Sequence, residues 1–436
     1  MSTTSLPSYV SPSLTRIPSY SAEPHAFEQR LALSGLRQRP TGDFVKQSKS
    51  GGVRLRLTEQ EDNVSLPVYG NGAAVEGTVN LAKPENVTSV EVQIEGSLKL
   101  QEVAEGGTTT SKLCLSRVRL WSKDGLSGPC PATLPFSLTL PTTYSDGRAE
   151  YPLPPTHQAH LSGVPGFNAT IEYTVSAIVQ KNKAASLLRL GNRRMSTVST
   201  PFVYYPRSRP AVPLPPPMAM SPEAAPDLAV DGWECFESII PAKSGNVRDI
   251  IVKLYIPASR VFCMSAQIPF YLTFKSTAMS LAAFLPFGPV TTSYASSKRH
   301  TRIQLLRQTT VDVRNALVFG TKTDIWRVSP IGEGKFRHAG DGRDWIAFSG
   351  DIRIEEGVKI GGFRASGFSV KDCIVLSMLP LEGAKSPFKE LRRVVPLRLA
   401  TDPYSSDGFH FAPYYSEPAT PEETNPHHFS EYQETT

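Results

Sequence analysis

Apolar and polar residues alternate along this chain with a period of two, and no long stretch follows a helical period. The clearest case is 166–181, where Ile171, Tyr173, Val175, Ala177 and Val179 alternate with Glu172, Thr174 and Ser176. That pattern places one face of an extended strand in a core and the other towards water. Upstream, Phe136, Leu138 and Leu140 alternate with Ser137 and Thr139, and a loop carrying Leu153-Pro154-Pro155-Thr156 joins the two runs. Val53, Leu55 and Leu57 alternate with Arg54, Arg56 and Thr58, and the turn Gly70-Asn71-Gly72 leads to Val75, Gly77, Val79 and Leu81. The longest clean run sets Val90, Val92, Ile94, Leu98 and Leu100 against Glu91, Gln93, Ser97, Lys99 and Gln101. With further strands near 113–121 and 201–205, about seven strands fall in ~150 residues, the spacing of a β-sandwich. A parallel βαβ sheet is disfavoured, because no helical run separates the strands.

Eight prolines in the 21 residues 206–226 favour polyproline II, a semi-rigid spacer. A second block of strands follows from Trp233, over 250–257, 268–274, 303–313, 324–328, 345–354, 370–378 and 394–399. Within it Pro257, Pro269 and Pro396 belong at strand ends or edges, since proline has no N–H for a ladder. The expected architecture is all-β, with two tandem antiparallel β-sandwiches and disordered tails. It divides into a disordered arm over 1–50, a sandwich over 51–205, a Pro-rich linker over 206–232, a second sandwich over 233–402 and an acidic disordered tail over 403–436. Inside the arm, Phe27, Leu31 and Ser34 have a weak helical spacing.

The residue totals narrow the function classes. A chain of 436 residues exceeds what one core usually serves. The net charge of +6 is too mild and too scattered to argue for nucleic acid. Cys114, Cys130, Cys235, Cys263 and Cys373 are widely spaced and form no Cys-x-x-Cys pair, which suits reduced thiols in the cytosol. The Ser/Pro/Thr-rich start lacks the apolar stretch of a signal peptide, so the sequons at Asn63, Asn86 and Asn168 read as chance. The longest apolar run, 278–289, contains Pro286 and falls short of the ~20 residues a spanning helix needs. A soluble intracellular protein is expected. Enzyme signatures are missing: Gly332-Glu333-Gly334-Lys335 lacks the Walker spacing and no Gly-x-Ser-x-Gly elbow occurs. His157-Gln158-Ala159-His160 has no third ligand at a recognisable spacing and reads as a surface pair in a loop. Neither catalysis, nor a metal, nor a cofactor is expected.

These residues carry a family likeness. Leu134-Pro135-Phe136 with Leu140-Pro141, Leu153-Pro154-Pro155 and Ile171-Glu172-Tyr173-Thr174-Val175 resemble the end of an arrestin N-domain. Leu66-Pro67-Val68-Tyr69-Gly70, Val75-Glu76-Gly77 and 90–96 are similar to its first strands, and 370–378 with Val394-Val395-Pro396-Leu397-Arg398-Leu399 to C-domain closing strands. The chain thus resembles the fungal α-arrestins, the arrestin-related trafficking adaptors, over about 53–205 and more weakly over 233–402. The resemblance implies two seven-stranded sandwiches and a non-catalytic adaptor that links membrane cargo to a WW-domain HECT-type ubiquitin ligase for endocytosis. For the buried charge cluster of visual arrestins, Asp351 and Arg353 are the candidates.

The candidate binding residues lie in the arms. Leu6-Pro7-Ser8-Tyr9 and Ile17-Pro18-Ser19-Tyr20 repeat an aliphatic-Pro-x-Tyr pattern. A short polyproline II segment ending in Tyr fits the aromatic groove of a WW domain, and two copies permit bivalent engagement. Leu6, Pro7, Tyr9, Ile17, Pro18 and Tyr20 are therefore the expected ligase contacts. Leu66-Pro67-Val68-Tyr69 matches the same pattern but falls in a strand and is read as structural. Arg193-Arg194-Met195-Ser196 has two basic residues before Ser196, a candidate phosphosite. Around it Lys181, Lys183, Arg189, Arg193 and Arg194 form a run without acids, a candidate contact for phosphate or anionic lipid. The expected partners are ligase WW domains, the cytoplasmic tails of plasma-membrane transporters or receptors, and the anionic leaflet, at the plasma membrane or endosomes. The alternative is a ligase-independent, retromer-like sorting scaffold.

Overall fold

The strand Phe167–Lys181 is central to a six-stranded sheet. Its alternating Ile171, Tyr173, Val175, Ala177 and Val179 all have 0% exposure. Each Ile or Val side chain among them contributes about 1.5–3 kcal/mol by leaving water. On one side it pairs with Val87–Glu102 along its whole length; on the other it pairs with Arg194–Tyr204 and, where that strand ends, with His157–Leu161. Thr108–Ser122 closes the far edge and the short Val68–Tyr69 the near one, running parallel to Arg194–Tyr204. A four-stranded sheet of Gly42–Gln47, Val53–Gln60, Ala74–Leu81 and Thr133–Thr139 supplies the second layer. Its Leu55, Leu57, Val75, Val79, Phe136 and Leu138 share one core with the first sheet. Opposite Tyr173 the partner strand carries Gly96, where a Cβ would lie 2.5 Å from the Tyr173 ring. Glycine there makes room for the aromatic ring.

This computed structural model describes residues 23–31, 40–62, 64–103, 107–123, 128–162, 166–182, 194–218, 230–243, 245–291, 299–314, 322–380 and 385–406. The chain is nearly all β, as the alternation predicts. Its second half is one continuous ten-stranded sheet. Trp233–Ile240, Ile250–Pro257, Ile268–Lys275 and Trp345–Ile354 lead across to the long strand Lys322–Asp341. That strand pairs with Trp345–Ile354 through its end and with Thr301–Arg314 through its start, with a bulge between Leu305 and Leu306. Phe368–Met378, Leu391–Ala400 and Val261–Cys263 complete the order, with Phe363–Ala365 pairing on Phe368–Met378. So wide a sheet does not stay flat; an Ala242–Phe388 bridge brings its two sides together. The core between them holds Leu254, Phe270, Phe274, Ile303, Leu376 and Val395.

The apolar run 278–289 forms the helix Ala278–Phe284 and the turn Leu285–Phe287. Thr277 caps the helix by accepting from the Ser280 N–H at 3.3 Å. Among the described residues no helix is long and apolar enough to cross a membrane.

Ordered structure begins earlier than the sequence pattern suggests. Glu28–Leu31 and Gly42–Gln47 are strands inside the stretch expected to be a disordered arm. The helical spacing of Phe27 and Leu31 gives way to extended backbone because Glu28–Leu31 pairs with Arg207–Pro210. The Pro-rich segment is likewise tied down at its start. Met218 is buried against Trp233 and Tyr255, its N–H donates to the Tyr271 hydroxyl at 2.8 Å, and the Trp233 indole donates to Pro216 O at 3.2 Å. Residues 407–436 of the expected tail over 403–436, and 219–229 of the linker, lie outside the described residues.

Candidate functional site

The two halves meet at a seam rich in charge. The strand Glu28–Leu31 lies on Arg207–Pro210, and both sit beside the last strand, Leu391–Ala400. Arg398 donates to the Glu28 carboxylate at 2.7 Å, and both side chains keep only 13% exposure. Arg207 grips Asp402 with two donors, one at 2.9 Å from Nε. That hydrogen bonding raises the Arg207 pKa. Thr401 links the same pieces, accepting from the Ser208 N–H at 2.9 Å and donating to Ser208 O at 3.0 Å. Arg209 donates to Gln29 Oε1 at 2.8 Å. Burial lowers the pKa of Arg30 and of His25, with Arg398 adding repulsion in both cases.

Between these groups lies a cavity of about 100 Å³, lined among others by Arg30, Arg207, Arg364, Arg398, Glu28 and Asn71. Four guanidinium groups line it; Arg398 is paired with Glu28 and Arg207 with Asp402, and the positive charge that remains suits a small anionic end such as a carboxylate or phosphate. Arg364 also stacks over Tyr151 with 4.9 Å to the ring centroid, and its backbone oxygen accepts from the Tyr144 hydroxyl at 3.2 Å. Among the described residues no group of three or more His, Cys, Asp or Glu could hold a metal ion.

Deeper in the seam, Arg307 holds Asp372 bidentately at 2.8 and 2.9 Å and donates to Ile360 O at 2.8 Å. Asp372 has 0% side-chain exposure. Burial pushes its carboxyl pKa up, and the Arg307 fork works against that rise. His157 packs edge-on to Phe363 at 5.4 Å and stacks on Phe368 at 6.1 Å. Burial, with repulsion from Arg307, lowers its pKa to about 4.

Several expectations are redirected by this geometry. His157 and His160 lie on the strand His157–Leu161, not in a loop, and His157 is half-buried in the seam while His160 is exposed. The buried charge sits at Arg307–Asp372 and Arg398–Glu28. Asp351 instead pairs with Arg337 and Arg353 with Glu356, both at the exposed surface. Position in the fold decides this: the inward sites around Asp351 and Arg353 are filled by Ile352 and Ile354. Leu66-Pro67-Val68-Tyr69 is structural as expected, with Tyr69 buried and 5.1 Å from the Phe202 ring.

Leu6, Pro7, Tyr9, Ile17, Pro18 and Tyr20 lie outside the described residues, as do Lys183, Arg189 and Arg193. Lys181 donates to Lys83 O at 2.9 Å, and its backbone stands opposite Arg194, the first residue of Arg194–Tyr204. Ser196 pairs opposite Val179 and is half-buried, on the strand side of buried Val198 and Thr200. A kinase reaching Ser196 has to draw it out of the sheet. Sequence reasoning misses the seam, because Glu28, Arg207, Arg307, Arg398 and Asp402 are far apart in the chain and follow no local motif.

Fold and seam define a two-halved, all-β protein with an arginine-rich notch where the halves meet. The chain matches no protein-family model and no curated protein.

Proposed function

We propose that the chain is a non-catalytic adaptor of the arrestin-related type. It links the cytoplasmic tails of membrane proteins to a WW-domain HECT-type ubiquitin ligase, which supplies the chemistry while the adaptor supplies proximity. The observation that carries this reading is the pair of aliphatic-Pro-x-Tyr motifs at Tyr9 and Tyr20, placed ahead of the strand Glu28–Leu31. That strand is held at the seam by Arg398, so an arm bound by the ligase stays tethered to the folded body. The arginine-lined notch adds support, since acidic or phosphorylated tails are met by such groups.

The test is binding of the full chain to isolated ligase WW domains, with Tyr9→Ala, Tyr20→Ala and the double change. Each single change is expected to weaken binding several-fold, and the double change to abolish it, as two linked sites require. Binding that is absent, or indifferent to both tyrosines, overturns the ligase link and leaves the retromer-like scaffold as the reading.

A further inference from the structure

Four of the most exposed large apolar side chains among the described residues gather at one end of the second half. They are Met279 at 69% exposure, Leu285 at 59%, Ile239 at 53% and Leu379 at 48%. Met279 and Leu285 ride on the helix Ala278–Phe284 and the turn that follows, while Leu281 and Phe284 on the other side are buried, Phe284 lying 4.8 Å from Phe274. Ile239 faces outward opposite Ile251, whose next neighbour across the sheet is Lys275, just ahead of the helix. The Leu379 N–H donates to His300 O at 2.9 Å, and the His300 ring lies 5.1 Å from Phe287. From 276 to 291 the chain carries no charged residue.

Cations ring this apolar end. The Arg248 N–H donates to Ser280 Oγ at 2.7 Å, which sets Arg248 against the helix. Lys243 and Lys389 flank the Ala242–Phe388 bridge beneath it, and Arg299 adjoins His300. Their side chains are exposed. The acids at this end include Asp249, whose carboxylate accepts the Ala242 N–H at 2.8 Å, Asp344, Glu390, and Glu333, which pairs with Arg299 at 3.3 Å and leaves Arg248, Lys243 and Lys389 as the cations the contact relies on.

Clustered apolar exposure of this kind marks an interaction site. Protein hot spots favour Trp, Tyr and Arg at their centre, whereas Met, Leu and Ile occupy the centre here and the cations stand around it. Apolar side chains that enter the headgroup–acyl boundary, with Lys and Arg meeting anionic headgroups, are the chemistry of an interfacial membrane contact. We propose that this end of the second half docks on an anionic lipid surface. Met279 and Leu285 enter the boundary, and Arg248 and Lys389 face the phosphates. The inference stands on the geometry of this end and holds whether or not the amino-terminal arm recruits a ligase.

Co-sedimentation of the full chain with vesicles of phosphatidylcholine alone, and with phosphatidylserine added, tests it. The variants are Met279→Ser/Leu285→Ser and Arg248→Glu/Lys389→Glu. All four side chains are exposed, and unchanged circular dichroism and melting confirm that the variants fold. Binding is expected only with phosphatidylserine, to weaken about tenfold or more in either variant, and to fall as salt screens the headgroups. Three results overturn the proposal: no binding to phosphatidylserine vesicles, equal binding to both vesicle types, or binding that both variants retain, which assigns the lipid contact to another surface. A fourth does so as well: sedimentation velocity in which the apolar variant dissolves a dimer while vesicle binding persists, which makes this end a contact between copies of the chain.

Discussion

His157 packs against both Phe363 and Phe368, and burial lowers its pKa to about 4. In the unfolded chain an imidazole takes up its proton near pH 6.5. Between those values the unfolded state binds the extra proton and the folded state does not, so stability falls as pH falls through that window. Each pH unit across the window is worth about 1.4 kcal/mol, so the expected loss from pH 6.5 to 4 is roughly 2–3 kcal/mol once water at the seam is allowed for. Denaturant titrations of the parent and of His157→Gln across this range check it. The variant is expected to lose that part of the slope, and an equal slope in both assigns the pH dependence to other groups. Tyr173 and Val175 are readable as core from their alternation alone. The role of His157 is not, because its partners come from the second half and only folding brings them within 6.1 Å.

Strands that cover one face of a core announce themselves through alternation, as Phe167–Lys181 and Val87–Glu102 do. The strand Glu28–Leu31 contains one aliphatic residue, and what holds it is backbone pairing to Arg207–Pro210 and the Arg398–Glu28 ion pair. No local pattern encodes such a strand, so alternation alone leaves it in the arm. The same limit conceals the seam, whose ion pairs join Glu28 to Arg398 and Arg207 to Asp402 across long stretches of chain. Removing one partner of this pair leaves the other poorly solvated. Glu28→Ala is expected to cost roughly 2 kcal/mol, below the ~3–5 kcal/mol of a fully buried pair because water still reaches both groups. Glu28→Ala combined with Arg398→Ala is expected to cost less than the two single changes added together, a coupling that a double-mutant cycle measures. Strict additivity shows that the pair contributes no coupling energy to holding the strand.

Two sandwiches on a proline hinge would unfold as separate cores. In this chain the strands themselves cross between cores. Phe368–Met378 gives Phe368 and Val370 to the core of the first half, and Ile374, Leu376 and Met378 to the core of the second. Thr301–Arg314 does the same, with Val311 in one and Ile303 and Leu305 in the other. A strand cannot leave one core and keep its ladder in the other, so the halves gain or lose structure together. Phe368→Ala removes a ring from the first core and from the face of His157, at a cost of about 3–5 kcal/mol. Calorimetry on the full chain is expected to give one transition that moves as a whole in this variant. Hydrogen exchange is expected to speed up at Val175, in the first half, and at Ile374, in the second, to a similar extent. Two separate transitions, or faster exchange at Val175 with Ile374 unchanged, make the halves independent and the shared strands mere neighbours. A single transition means that an effect at the arginine-lined notch, which both halves line, reaches either core through these strands.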